Sequence, residues 1–132
     1  MTKLKIRVTK EILERSKNCG GSGYLDLPTN QNCAIALAIR DIFPTAVVEE
    51  QGIFLEREFE LGRLINGDFD IKLPKSATNF ICTFDFNNAD ERVNMPEMEF
   101  EIEIHESIIE KINIEELKPL LENHPTLSLI EN

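Results

Sequence analysis

The chain has 132 residues, a formal net charge of -10 at pH 7 and a sequence pI near 4.7. Its composition, 42% hydrophobic and 29% charged, is that of a globular protein that can bury a core without a metal or a disulfide. The negative charge argues against direct nucleic-acid binding and against binding to anionic membranes, because both depend on Lys and Arg contacts with phosphates.

The hydrophobic segments of the chain are short. The longest uninterrupted apolar run covers residues 34–39, far fewer than the roughly 20 residues of a transmembrane helix. The N-terminal segment carries charges at short intervals, whereas a secretory signal has an apolar centre. Three cysteines, Cys19, Cys33 and Cys82, have neither disulfide nor zinc spacing. These features predict a cytoplasmic protein with reduced thiols and without a cofactor or metal.

The N-terminal third alternates between strand and helix signals. Every second side chain is apolar over residues 3–8, which predicts a half-buried strand. Thr9 is a favoured helix N-cap, so a helix is predicted over residues 10–16. The Gly-rich segment 18–23 predicts a loop. A second helix is predicted over residues 31–43, capped by Asn30 or Asn32, and it is apolar enough to pack closely against a sheet.

Strand signals dominate the middle of the chain. Residues 46–50 and 53–61 are predicted strands, a bulge at Gly62 accounts for a change of parity, and Asn66-Gly67 is a typical hairpin turn. A helix is then predicted over residues 76–86. Its apolar residues recur at helical spacing: Ala77, Phe80, Ile81 and Phe84.

The C-terminal part begins with strict alternation over residues 97–105, which predicts another strand. From about residue 107, Pro119 and Pro125 interrupt a helical pattern, predicting short helical pieces in a loosely held extension of the single domain 1–132. The predicted fold class is α+β: a small, mostly antiparallel sheet packed on one face by the helices 31–43 and 76–86.

Four segments resemble a loose group of short proteins encoded by phages and bacteria. They are IRVTKEIL, the helix NCAIALAIRDIFP, the LP that opens a helix with FICTFDF, and the final acidic-apolar strand. The group has no assigned activity. The resemblance implies a shared fold and a mobile-element origin, and it implies no catalytic residue.

Cys33 and His105 are the candidate catalytic residues. Cys33 falls in the opening turn of the helix 31–43, where the helix dipole lowers a thiol pKa and favours the nucleophilic thiolate. A cysteine enzyme also needs a base, and His105 is available only if its strand ends near this helix. The alternative is that Cys33 is an ordinary buried apolar residue. The loop CGGSG at residues 19–23 is a weaker candidate for nucleotide binding.

Two rows of glutamates are the candidate partner-binding residues. Alternation places each row on one face of its strand: Glu97, Glu99, Glu101 and Glu103 on the later strand, and Glu56, Glu58 and Glu60 on an earlier one. Like charges at this spacing repel one another, so folding gains nothing obvious from the rows. They predict a non-enzymatic protein that binds a basic protein surface. The alternatives are a solvated face with nearby lysines, a small cysteine-dependent hydrolase or transferase, and a nucleotide-binding module.

Overall fold

The computed structural model describes residues 2–19, 33–44, 46–54, 59–60, 63–64, 71–104 and 114–130. Helices and small antiparallel sheets alternate along these residues, so the predicted α+β fold is confirmed. The elements in chain order are β1 (Thr2–Val8), α1 (Lys10–Ser16), α2 (Ala34–Ile39), β2 (Val47–Glu49), β3 (Gly52–Phe54), β4 (Phe59–Glu60), β5 (Arg63–Leu64), β6 (Ile71–Lys72), α3 (Lys75–Phe86), α4 (Ala89–Val93), β7 (Met98–Ile104), α5 (Ile114–Leu121) and β8 (Leu127–Ile130).

The first sheet joins the two ends of the described chain. Its strand order is β7-β1-β8, and β1 is antiparallel to both neighbours. Alternation decides which side chains face the core, because successive residues of a strand point to opposite faces. Leu4 and Ile6 of β1 are therefore buried together with Phe100 and Ile102 of β7.

The C-terminal strand β8 lies in the segment for which the sequence predicted short helical pieces and a loosely held extension. Leu127 is 1% exposed and pairs with Ile6, so residues 127–130 belong to the sheet. The helix α5 ends before them: Asn123 adopts the left-handed conformation (φ 67°) that commonly terminates a helix. Within residues 127–130, Leu127 is buried and the other three residues are half-buried, so this short strand has no alternating burial pattern.

The second sheet has the order β2-β3-β6 among the described residues, and all its pairs are antiparallel. A separate short hairpin pairs Phe59 with Leu64 and Glu60 with Arg63. Residues 59–60 are therefore antiparallel to residues 63–64, whereas the sequence had predicted one strand that continues past a bulge at Gly62. Gly62 itself and the Asn66-Gly67 turn lie outside the described residues.

The helices follow their local capping signals. Thr9 caps α1 by accepting a hydrogen bond from Ile12 N at 3.2 Å, as predicted. The helix α2 is shorter than the predicted 31–43, and its N-cap is Cys33; Asn30 and Asn32 lie outside the described residues. The helix α4 was missed, although Asn88 and Glu91 form a capping box, the recognised signal for a helix start.

One contiguous cluster of buried side chains connects these elements. It includes the apolar face of β1, nearly all of α2, and the predicted buried positions of α3, which are Ala77, Phe80, Ile81 and Phe84. The helix α2 packs against β1 and α1, and this packing helps to bury the apolar side chains of α2. No helix in the described part of the chain is long and apolar enough to span a bilayer.

Candidate functional site

The candidate glutamates of β7 lie on the solvent-facing side of the first sheet, opposite the cations of β1. The antiparallel register pairs Lys3 with Glu103, Lys5 with Glu101 and Arg7 with Glu99. Directly opposed side chains of opposite charge attract each other across strands. The row that the sequence presents as self-repelling thus has a row of cations beside it.

Glu99 is the most strongly paired member of the row. Its Oε2 lies 3.3 Å from Arg7 Nε, and its Oε1 lies 3.7 Å from Lys5 Nζ. Glu103 lies 3.7 Å from Lys3 Nζ. Because all these side chains are at least 32% exposed, solvent screens the pairs and each contributes well under about 1 kcal/mol.

The other two candidate glutamates, Glu97 directly before β7 and Glu101 within it, have different roles. Glu97 Oε2 accepts a hydrogen bond from the backbone N–H of Lys10 at 2.7 Å, which satisfies a free donor in the first turn of α1. Glu101 is exposed and makes no ion pair among the described residues, because Lys5 reaches diagonally to Glu99. Of the glutamates predicted on the earlier strand, Glu56 and Glu58 lie outside the described residues. For Glu60 only the strand pairing is described.

A comparison of Glu99→Gln with Glu101→Gln separates structural from free carboxylates. We expect Glu99→Gln to lower the free energy of unfolding by about 0.5 kcal/mol, since two exposed ion pairs are lost. Glu101→Gln relieves repulsion from Glu99 and Glu103 and should leave stability unchanged or slightly higher. Urea denaturation of both variants measures the difference. Equal losses in the two variants would contradict the described pairing.

Of the two candidate catalytic residues, Cys33 lies within the described part of the chain and His105 does not. Cys33 is 7% exposed at the N-cap of α2, and burial raises the pKa of its thiol. The helix-dipole argument predicted the opposite direction. Backbone N–H groups in the first turn of α2 do lower the pKa of this thiol, but its burial has the larger effect and raises the pKa. His105 and residues 20–23 of the Gly-rich loop lie outside the described residues.

Native thiol labelling tests whether Cys33 is reactive. Only Cys82 of the three free cysteines is exposed, whereas Cys19 and Cys33 are buried. We expect a thiol reagent at neutral pH to modify Cys82 quickly and the other two only after unfolding, since thiolate character and access control the rate. Peptide mass mapping identifies the modified residue. Fast modification of Cys33 in the folded protein would favour the enzyme alternative.

Arg92 is a buried cation that the sequence analysis missed. It is 8% exposed, and its guanidinium donates hydrogen bonds to Phe84 O at 2.8 Å, Lys17 O at 3.0 Å and Cys19 O at 2.8 Å. The guanidinium carbon also lies 4.1 Å from the centre of the Phe84 ring. Arg92 therefore connects the chain after α1 to the ends of α3 and α4, which is a structural role.

We expect the protein to lose stability at alkaline pH because of the Cys19 thiol, which lies beside Arg92. Burial, and next the nearby Cys33, raise the pKa of Cys19 from 9.0 to about 12. On raising the pH, the unfolded chain loses this proton before the folded protein does. The contribution of the protonated Cys19 thiol to stability is therefore fully present below pH 9 and is lost as pH rises towards 12. Urea denaturation at several alkaline pH values should show a shallower decline for Cys19→Ala. An unchanged decline would exclude Cys19 as the cause.

His124 organises the turn before β8, and it too was missed. Its Nδ1 accepts hydrogen bonds from Thr126 N at 3.2 Å and Leu127 N at 3.1 Å, so the proton lies on Nε2. The Nε2 atom faces Asp41 Oδ2 at 3.5 Å without making a hydrogen bond. Thr126 Oγ1 in turn donates to Ala38 O at 2.5 Å. These contacts fix β8 against the end of α2.

An open groove of about 550 Å³ lies between the end of α5 and β8. Its apolar floor includes Leu121, which is buried, and Leu129, which is half-buried. Polar and charged residues form the rest of the lining: Lys118, Glu122, Asn123 and Ser128, with Pro119 at one side. This groove depends on β8, which the sequence analysis did not predict.

No protein-family model, curated protein or solved structure matches this chain. Within the described residues, no group of three or more His, Cys, Asp and Glu side chains can hold a metal ion.

Proposed function

We propose that this protein is a non-enzymatic interaction protein that binds a basic protein surface through the exposed face of β7. The resemblance to short phage and bacterial proteins implies a mobile-element origin, and we propose an accessory or inhibitor role in such an element. The net charge of -10 favours basic partners, because long-range attraction speeds their encounter with an acidic protein.

Glu101 is the observation that carries this proposal. It projects from the middle of β7 between Glu99 and Glu103, exposed and without an ion pair among the described residues. Keeping an unpaired carboxylate between two others costs some repulsion and adds nothing to packing. A Lys or Arg of a partner would relieve that repulsion.

The environment of the cysteines supports binding over cysteine catalysis. Nucleophilic catalysis needs an accessible thiolate, whereas burial raises the pKa of both Cys19 and Cys33. All three cysteines are free, which is consistent with work in the reducing cytoplasm.

Parallel capture experiments test the proposed face. Wild type, Glu101→Lys and the matched control Glu11→Lys are immobilised and exposed to the same host lysate, and retained proteins are identified by mass spectrometry. Glu11 is an exposed residue of α1, so both variants change the net charge equally. We expect a basic protein that wild type and Glu11→Lys retain and Glu101→Lys loses. Identical sets on all three proteins would contradict binding through β7.

A further inference from the structure

We propose a second binding site, at the outer edge of β8, where a basic, extended peptide segment adds as a further strand and lies in the groove beside α5. The strand β8 is at the opposite edge of the sheet from β7, so binding here is separable from binding at the β7 face.

The hydrogen-bond pattern shows which backbone groups β8 offers to a new strand. Arg7 N donates to Thr126 O at 2.8 Å, and hydrogen-bonded pairs recur at every second residue of an antiparallel ladder. Ser128 and Ile130 therefore direct their backbone groups towards β1, whereas Leu127 and Leu129 direct theirs to the outer edge. The donation from Leu127 N to His124 Nδ1 is consistent with this orientation.

Three outward backbone groups follow from this pattern: Leu127 C=O, Leu129 N–H and Leu129 C=O. Among the described residues they have no strand partner, since β8 ends the sheet order. Such an edge is a template for another strand, and proteins commonly cover or charge it. Here an open groove runs beside it, so an extended peptide has room for its side chains.

The charges around the groove select the occupant. Glu122 lines the groove and makes no ion pair among the described residues, whereas Lys118 is already paired with Glu115 at 3.1 Å. Asp41, 81% exposed, lies beside His124 where the turn leads into β8. The Glu122 carboxylate is therefore available to a ligand in the groove, and the nearby cation Lys118 is neutralised. A segment that alternates Lys or Arg with apolar residues complements both the charge and the floor of Leu121 and Leu129.

A second copy of this chain is a less favourable occupant. Each copy has a net charge of -10, so pairing two β8 edges brings like charges together. A cationic peptide gains the same backbone hydrogen bonds and attracts Glu122 as well.

Amide hydrogen exchange with a synthetic peptide tests the site. The probe is a short peptide in which Lys and Val alternate; the controls are the corresponding Glu–Val peptide and a backbone N-methylated Lys–Val peptide. We expect the Leu129 amide, which exchanges readily in the free protein, to slow about tenfold or more with the Lys–Val probe alone. The Ser128 amide, already bonded to β1, should change little. Glu122→Lys should weaken binding several-fold, whereas Glu11→Lys should not.

Three results would overturn this site, and none of them decides the proposed function. In the first, the probe fails to bind. In the second, it binds while the Leu129 amide stays unprotected and resonances of β7 shift instead, which leaves the β7 face as the binding surface. In the third, the Leu129 amide becomes protected without peptide as protein concentration rises, which identifies a second copy as the occupant. Failure of the proposed function is the separate finding that Glu101→Lys retains the same proteins as wild type.

Discussion

Replacement of Arg92 by Met is expected to lower the free energy of unfolding by about 3 kcal/mol. The guanidinium satisfies three backbone carbonyls, those of Phe84, Lys17 and Cys19. A buried acceptor that loses its partner costs about 1–3 kcal/mol. Removing a buried charge offsets part of this loss, because a desolvated cation is itself costly. Methionine fills a similar volume, so a cavity contributes little.

Two further variants identify the cause of that loss. Arg92→Lys keeps the charge, but a single ammonium cannot reproduce the planar contacts with three carbonyls and the Phe84 ring, so most of the loss should remain. Arg15→Met changes an exposed arginine of α1 and should stay within about 0.5 kcal/mol of wild type. Urea denaturation measures all three. A wild-type stability for Arg92→Met would mean that the carbonyl contacts contribute nothing.

Replacement of His124 by Leu is expected to lower the free energy of unfolding by about 2–4 kcal/mol. The backbone N–H groups of Thr126 and Leu127 lose their acceptor, and both residues are buried, at 5% and 1% exposed. Each unsatisfied donor costs about 1–3 kcal/mol. The loss should concentrate in β8, because these donors begin that strand. Amide exchange of Ser128 and Ile130 should therefore accelerate more than that of β7.

His124→Asn is the matched control for this substitution. The Asn side-chain oxygen occupies nearly the position of Nδ1 and accepts hydrogen bonds from the residues that follow, as in an Asx turn. We expect it to recover most of the stability that Leu loses. If Asn and Leu are equally destabilising, then packing of the imidazole ring, and not its acceptor atom, stabilises the turn.

The sequence was most informative where a local signal agreed with burial. Strand β1, helix α1 with its Thr9 cap, and the buried face of α3 follow from alternation, capping and helical spacing. Helix α4 was predictable from its capping box of Asn88 and Glu91, but no helix was predicted in this polar segment. Strand β8 was not predicted because Pro119 and Pro125 favoured the prediction of short, interrupted helices in this segment.

The candidate site depends on long-range pairing that no local pattern reveals. Alternation correctly placed the β7 glutamates on one face, but only the register of β1 shows that Lys5 and Arg7 converge on Glu99 and leave Glu101 unpaired. Arg92 likewise resembles any charged residue in sequence. Its burial arises because residues far apart in the chain present their carbonyls to it.

The central claim is that β7 binds a basic protein. The most direct test is the association rate, across a salt series, of the basic protein that the capture experiment identifies. Binding through β7 predicts that Glu101→Gln slows association and reduces its dependence on salt, because exposed charges act by long-range steering. The neutralised control Glu11→Gln should behave like wild type, and dissociation should change less than association in both variants. If Glu101→Gln and Glu11→Gln give the same rates at every salt concentration, the β7 face is not the binding surface.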